Sequence, residues 1–291
     1  MKKILITGEG SFIGTSVLEY LAKWPDKYTV SVVGTKEEEW KKTDFGGFDA
    51  VYHVAGIAHS DVGKVSDEIK KKYYEVNTRL AVDVAAKAKN EGVKQFIFMS
   101  SSIVYGDSSP IGVEKIITSD TDCSPANFYG DSKVQAEKGL LALGSDEFRV
   151  VILRCPMIYG KGSKGNFPAL ERIALKYPVF PKISNSRSML YVKNLAEFVR
   201  LMIENEESGI FWPCNKEYSS TSELVRMIAG CRGKKVRLIP GFSWALKILS
   251  RFTGYVNKAF GNLAYGEGLG DYKQDYRLYS LEQSIMEIET E

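Results

Sequence analysis

The sequence predicts a Rossmann-type, doubly wound α/β fold, a parallel sheet with helices on both faces, and three observations predict it. Short apolar strand patterns alternate with helical ones through the first half of the chain, which demands crossover connections and therefore parallel pairing. The first strand runs into "GEGSFIG", residues 8–14, a glycine turn that opens a helix. A later strand ends among the serines of "MSSSIVYG", residues 99–106, at the carboxyl edge where such sheets bind ligands.

The elements follow in order. Residues 3–7 form the first strand and residues 12–23 the first helix. Between them Gly8 makes the tight turn, Gly10 allows a ligand to approach the backbone, and Gly14 lets the helix pack on its strand. Ser11 caps the helix, and Phe12 and Ile13 open it, so free N–H groups and a helix N-terminus point at one place. A pyrophosphate is the natural occupant. The spacing is neither GxGxxG nor GxxGxxG in full, because Ser11 stands at the middle glycine of the second pattern and Gly10 comes one place early. Strands follow at 30–33, 50–54, 95–100 and 150–154, with helices at 77–90 and 129–143. Between the second and third strands only residues 34–49 are available, room for one or two helical turns.

After Arg154 the pattern loosens. The loop "GKGSKGNF" (160–167) precedes a helix at 168–177, and short strands at 188–192, 209–214 and 236–239 alternate with helices at 194–205 and 221–229. The expectation is a sheet domain over 1–165 with 186–218, and a smaller interleaved α/β lobe over 166–185 and 219–291 that binds substrate.

Composition narrows the function. Lys plus Arg number 39 against 36 Asp plus Glu, a net +3, too balanced to argue for nucleic acid. The four cysteines form no CxxC pair and there are only two histidines, which argues against zinc and for reduced, cytoplasmic thiols. The apolar run after Lys2 and Lys3 is broken at Gly8 and Glu9, unlike a signal peptide, and no stretch is long enough to span a bilayer. Residues 242–263 form an amphipathic pattern, with Lys247, Arg251 and Lys258 on one face and Phe242, Leu246, Leu249, Phe252, Val256 and Phe260 on the other. Such a segment reads first as a peripheral helix packed on its own domain and second as a contact with a membrane or partner. His53 and His59 are acid–base candidates by residue type, but His53 alternates inward on a buried strand and reads as a core residue rather than a catalytic one.

"YGDSK", Tyr129 to Lys133, carries the chemistry. On a helix the phenol and the ammonium share a face, and a nearby cation stabilises the phenolate, lowering the tyrosine toward the working range of an acid–base group. Together with "MSSSIVYG" this makes the chain resemble the extended short-chain dehydrogenase/reductase family, in its nucleotide-sugar epimerase, dehydratase and reductase branch, over nearly the whole length.

The resemblance implies that Ser101, four residues before Tyr105, hydrogen-bonds the reacting sugar hydroxyl. It implies that Tyr129 moves the proton, and that Lys133 tunes Tyr129 and holds the nicotinamide ribose. "DAVYHVAG" (49–56) then lines the cofactor through Val54, Ala55 and Gly56, Asn77 of "YYEVN" supports the site, and Pro156 of "LRCPMIYG" backs the nicotinamide. Asp44 and Phe45 fall where the family contacts adenine. Asn166 and Phe167 occupy the substrate-loop position, and Arg187 falls on the arginine that grips the diphosphate, a role its planar fork suits.

The implied cofactor is NAD or NADP. At the end of the second strand, in "VVGTK", Gly34 offers no carboxylate to repel a 2′-phosphate and Lys36 would attract one, which leaves NADP open and leans toward a reductase. Ser102 and Ile103 stand where dehydratases carry an Asp and a Glu, so loss of water is not expected. The leading expectation is reversible epimerisation of a nucleotide sugar, UDP-hexose-like, at its 4-position through a 4-keto intermediate, as in polysaccharide precursor synthesis. The alternative is an NAD(P)H-dependent 4-keto reductase. A non-catalytic NAD(P)-sensing module is disfavoured by the intact Ser101, Tyr129 and Lys133, and family resemblance implies a homodimer.

Overall fold

The computed structural model describes residues 1–37, 39–58, 65–250 and 254–290. His59, Arg251 and Phe252, singled out above, lie outside the described residues. β1 (Lys2–Thr7), α1 (Phe12–Leu21), β2 (Tyr28–Val33), the single-turn α2 (Glu39–Lys42) and β3 (Ala50–His53) come first. α3 (Asp67–Tyr73), a π-helical turn (Tyr74–Arg79) and α4 (Leu80–Asn90) lead to β4 (Gln95–Ser101) and a 3-10 turn (Ser102–Tyr105). β5 (Ile116–Ile117), α5 (Phe128–Leu143), β6 (Arg149–Cys155), β7 (Met157–Tyr159), α6 (Asn166–Lys176), β8 (Val179–Pro181) and β9 (Met189–Tyr191) follow. α7 (Val192–Glu204), β10 (Gly209–Phe211), α8 (Thr221–Cys231), β11 (Arg237–Ile239), α9 (Ser243–Leu249), α10 (Gly254–Phe260), β12 (Ala264–Tyr265) and α11 (Leu281–Thr290) complete the order.

Among the described residues six strands form one parallel sheet in the order β10-β6-β4-β3-β1-β2. The inner strands β3 and β4 are buried nearly end to end, as a sheet covered on both faces requires, while the edge strand β2 is buried only at its two ends, Tyr28 and Val33. Phe96 and Phe98 of β4 pack with Val51 of β3, Ala85 and Ala88 of α4 and Leu140 of α5. Each such aromatic, fully buried, stabilises the fold by about 1.5–3 kcal/mol. The connections leave β1 in opposite directions toward β2 and β3, so the carboxyl ends of β1 and β3 flank a topological switch point. Thr7 is in register with both Val33 and His53 there.

The chain divides into two compact units. The first holds Met1–Gly106, Cys123–Cys155 and Leu195–Pro213; the second holds Asp107–Asp122, Pro156–Asn194 and Cys214–Glu291. These bounds differ from a division at residue 165, and the reason is pairing at long range. β5 pairs with β12 and Ser109 bridges Asn262, tying 107–122 to the chain's last third. β7 pairs with β9, so the residues after β6 join the second unit.

Two local expectations change. The helix expected over 77–90 contains a π turn that carries Asn77. The amphipathic pattern of 242–263 is realised as α9 and α10, with 251–253 outside the described residues. Leu246, Val256 and Phe260 pack inward as expected, but Phe242 and Leu249 are exposed. No helix among the described residues is long and apolar enough to cross a membrane.

Candidate active site

The glycine loop has the local geometry its spacing predicts. Ser11 caps α1 by accepting from Gly14 N at 3.1 Å, and Thr15 N donates to Ser11 O. This leaves the N–H groups of Phe12 and Ile13 without an intrahelical acceptor. Gly8 has φ +114, and a Cβ there would meet Ala55 N at 2.8 Å. A Cβ on Gly14 would lie 2.6 Å from Ser11 Oγ and 3.3 Å from Ile6 Cγ2, so a side chain would undo both the cap and the helix–strand contact. Gly10, φ +68, would meet nothing within 4 Å. An open glycine beside unsatisfied N–H donors at a switch point suits a pyrophosphate.

The end of β2 differs from its sequence reading. A Cβ on Gly34 would lie 3.1 Å from Glu39 Oε2 and 3.3 Å from Glu9 Oε2. Gly34 supplies no carboxylate itself, yet α2 and the glycine loop bring two to it. Phe45 also differs: its ring is fully buried among Leu5, Val51 and Phe96, with Lys87 Nζ 5.1 Å from its centroid. That removes the ring from contact with adenine. Asp44 is exposed and accepts from Gly46 N, closing a turn.

Past β3, Val54 and Ala55 both donate to Thr7 O. Asn77, wholly buried, accepts from Ile57 N, donates to Ile57 O and reaches Ser132 Oγ at 3.1 Å. A Cβ on Gly56 would lie 3.2 Å from Asn77 Oδ1 and 3.5 Å from Lys133 Nζ, so this bare backbone lies beside the amide and the ammonium. The π turn is the irregularity that presents Asn77 here, a usual setting for such turns. His53 is a core residue, stacked on Phe96 and Phe98 and bonded to Thr7 Oγ1. Burial, with Lys133 near, lowers its pKa to about 3 and keeps it neutral.

α5 begins where Asn127 caps Gly130 N. A Cβ on Gly130 would sit 2.8 Å from Ile103 O, so this glycine lets α5 close on the 3-10 turn after β4. The closure brings Tyr129 close enough to Ser101 for the serine to act on its pKa, while Ser101 Oγ accepts from Ile103 N at 3.3 Å. Tyr129 also meets the Tyr73 ring edge-on at 5.8 Å. Its pKa is pushed up to about 12 by burial, against which Ser101 pulls down. That is opposite to the lowering expected from Lys133. The Lys133 ammonium instead donates to Met99 O at 2.8 Å and lies 4.5 Å over the Phe98 ring. Burial lowers it to about 8, with Glu137 holding it up, and it remains largely cationic at neutral pH.

A network the motifs did not flag lies beside these residues. Glu137, on the same α5 face as Tyr129 and Lys133 by its spacing, accepts from Ser100 Oγ and from Arg154 Nη2 at 2.7 Å. Arg154 also donates to Tyr105 OH at 2.7 Å, as does Trp212 Nε1 at 2.6 Å. Extending the Tyr129–Lys133 spacing by four residues is the sequence signal that finds Glu137.

The second unit holds the remaining predicted residues. Pro156 is buried ahead of β7. Asn166 is exposed at the start of α6, whereas Phe167 is buried with its ring 5.3 Å from that of Tyr159, so Phe167 acts as a packing residue there. Arg187 is half-buried and donates to Lys258 O, and at 3.5 Å to Ala259 O, carbonyls at the end of α10. Desolvation lowers its pKa, and no carboxylate among the described residues pairs with it.

A parallel sheet of this order, with a glycine loop at its switch point and a serine, tyrosine and lysine grouped after β4, defines a class of nucleotide-cofactor enzyme. The chain belongs to the NAD dependent epimerase/dehydratase family, whose model matches residues 4–211. It is accordingly an NAD(P)-dependent enzyme of the extended short-chain dehydrogenase/reductase type. It is similar to the UDP-glucose 4-epimerase of Vibrio cholerae, 30% identical over 274 residues that cover 87% of this chain and 83% of that one. It is also similar to the N-acetyl-α-D-glucosaminyl-diphospho-ditrans,octacis-undecaprenol 4-epimerase of Escherichia coli O157:H7, 29% identical over 80% of this chain and 73% of that one. In fold it matches a dTDP-4-dehydrorhamnose reductase from Clostridium acetobutylicum, TM-score 0.76 over 98% of both chains at 17% identity.

Proposed function

We propose that the protein is a 4-epimerase acting on a hexose carried by a diphosphate, a nucleotide sugar in the first instance, through a transient 4-keto sugar. The observation that carries this reading is the approach of Tyr129, on α5, to Ser101, at the end of β4, close enough for Ser101 to lower the Tyr129 pKa. Lys133 lies one turn further along α5, and Ser102 and Ile103 after β4 cannot perform the acid–base steps of a dehydration. The epimerase relatives from V. cholerae and E. coli support it.

Bound cofactor supplies a reversible acceptor for the hydrogen at C4. Tyr129 takes the proton of the 4-hydroxyl only as the phenolate and returns it from the phenol. Burial holds the free site at the phenol, with a pKa of about 12, so Ser101 and the positive charge of Lys133 and of bound oxidised cofactor would have to favour the phenolate. Lys133 adds positive charge, kept largely protonated by its value of about 8. Gly8, Gly10, Ser11, Phe12, Ile13 and Gly14 hold the pyrophosphate, and Val54, Ala55, Gly56 and Asn77 line the cofactor. The carboxylates of Glu9 and Glu39 beside Gly34 suit a ribose diol and repel a 2′-phosphate, favouring NAD. NAD retained from cycle to cycle suits an epimerase better than a reductase that draws on a pool of NADPH. Arg187 grips the diphosphate, which leaves the sugar free to present its other face.

The test is incubation with catalytic NAD and UDP-glucose, UDP-galactose, their N-acetyl forms, or undecaprenyl-diphosphate-linked N-acetylglucosamine. At least one pair interconverts. Consumption of NADPH in step with a 4-keto-6-deoxy sugar nucleotide, with no pair interconverting, overturns the reading in favour of a reductase.

A further inference from the structure

Residues 224–266 carry eight of the chain's Lys and Arg and no Asp or Glu, leaving 31 basic against 36 acidic residues elsewhere. The whole stretch lies in the second unit. Within it α9 touches the core by Leu246, packed against Ile111, Ile183, Val256 and Phe260. Its other large side chains face outward: Trp244 is 68% exposed, Ile248 50%, Leu249 48%, and Phe242 just ahead of the helix 46%. Lys247 is exposed among them, its ammonium 3.1 Å from where a Cβ on Gly112 would sit, next to Val113, itself 52% exposed.

Scattered exposed apolar residues need no explanation, but four large ones within eight residues form a patch that water does not favour. We infer that this α9 face docks on an anionic lipid bilayer. Tryptophan and phenylalanine suit the headgroup level, and Ile248 and Leu249 suit the acyl boundary below it. Lys247 buries its stem while its ammonium meets lipid phosphate. Arg226 and Arg232 of this stretch are paired with Glu223 and Glu289, which leaves the exposed Lys247, Lys235 and Arg237 to an outside anion. A protein interface depletes lysine at its centre, whereas an anionic bilayer attracts such cations. The inference does not rest on the epimerase reading; it concerns where the enzyme works.

Full-length protein is sedimented with vesicles of phosphatidylcholine alone or mixed with phosphatidylglycerol. It binds the mixed vesicles, more weakly at high salt, and tryptophan emission shifts to shorter wavelength. Lys247→Glu weakens that binding about tenfold, Trp244→Ser with Ile248→Ser abolishes it, and neither variant alters turnover of a soluble sugar nucleotide. Unchanged circular dichroism and unchanged NAD(P) binding confirm that the variants fold whatever the sugar substrate, and a parent chain without sugar-nucleotide turnover would bear on the epimerase reading alone. Parent protein left in the supernatant with both vesicles, or a Trp244→Ser/Ile248→Ser variant that binds undiminished, overturns the proposal. So does a parent dimer that ignores vesicles and becomes monomeric in that variant, because a second copy would then cover the face.

Discussion

In the first unit the Arg154 guanidinium meets Glu137 through Nε and Nη2 and Tyr105 through Nη1, while Ser100 completes the carboxylate. In the second, the Arg187 guanidinium donates to backbone carbonyls at the end of α10 and faces no carboxylate among the described residues. Both cations lose water, but only the first recovers its charge balance within the fold. A closed buried pair holds geometry, and breaking it leaves an uncompensated charge. An arginine supported by carbonyls alone retains its attraction for an anion that arrives later.

Arg154→Ala, which strands Glu137 beneath the Tyr129–Lys133 face, is expected to cost about 3–5 kcal/mol of stability, read as a lowered midpoint in denaturant. A loss below about 1 kcal/mol would make the pair incidental. Tyr129→Phe keeps the fold and cofactor binding but slows turnover by roughly 10² or more; near-normal turnover would remove Tyr129 from the chemistry. Arg187→Ala should leave the unfolding midpoint nearly unchanged and weaken nucleotide-sugar binding by about 1.5–3 kcal/mol, with NAD affinity unaltered. Calorimetry giving the reverse pattern, stability lost and sugar-nucleotide affinity kept, would make Arg187 structural and erase the contrast with Arg154. The smallest effect concerns the cofactor. The parent protein binds NAD more tightly than NADP, and Glu9→Gln with Glu39→Gln narrows that ratio about tenfold, as removal of two partly screened charges near a 2′-phosphate should. Equal affinities in the parent would sink the role given to the two glutamates.

Local signals made much of this legible. Strand periodicity located the sheet, and the capping preference of Ser11 with the positions of Gly8 and Gly14 described the loop, because turn and cap geometry depend on neighbours in sequence. His53 was legible as core from alternation alone. What escaped depends on distant partners. Glu9 and Glu39 meet at Gly34 only because the loop after β1 and the short α2 converge. Residues 107–122 join the second unit through a β5–β12 pairing across most of the chain. Asn77 sits on a π turn that periodicity reads as ordinary helix. The raised pKa of Tyr129 comes from burial, which the YxxxK spacing does not encode. For α9, amphipathy marked two faces, but the pattern could not say that Phe242 and Leu249 would stay uncovered.

The central claim is that Ser101, Tyr129 and Lys133 serve an epimerisation in which hydrogen leaves C4 and returns to it without mixing with solvent. A nucleotide sugar carrying deuterium at C4, incubated in ordinary water with catalytic NAD and the protein, tests it most directly by mass spectrometry of the product. The expected product is the 4-epimer with its deuterium retained at C4. A product that has lost the label to water, or no epimer at all, would contradict it.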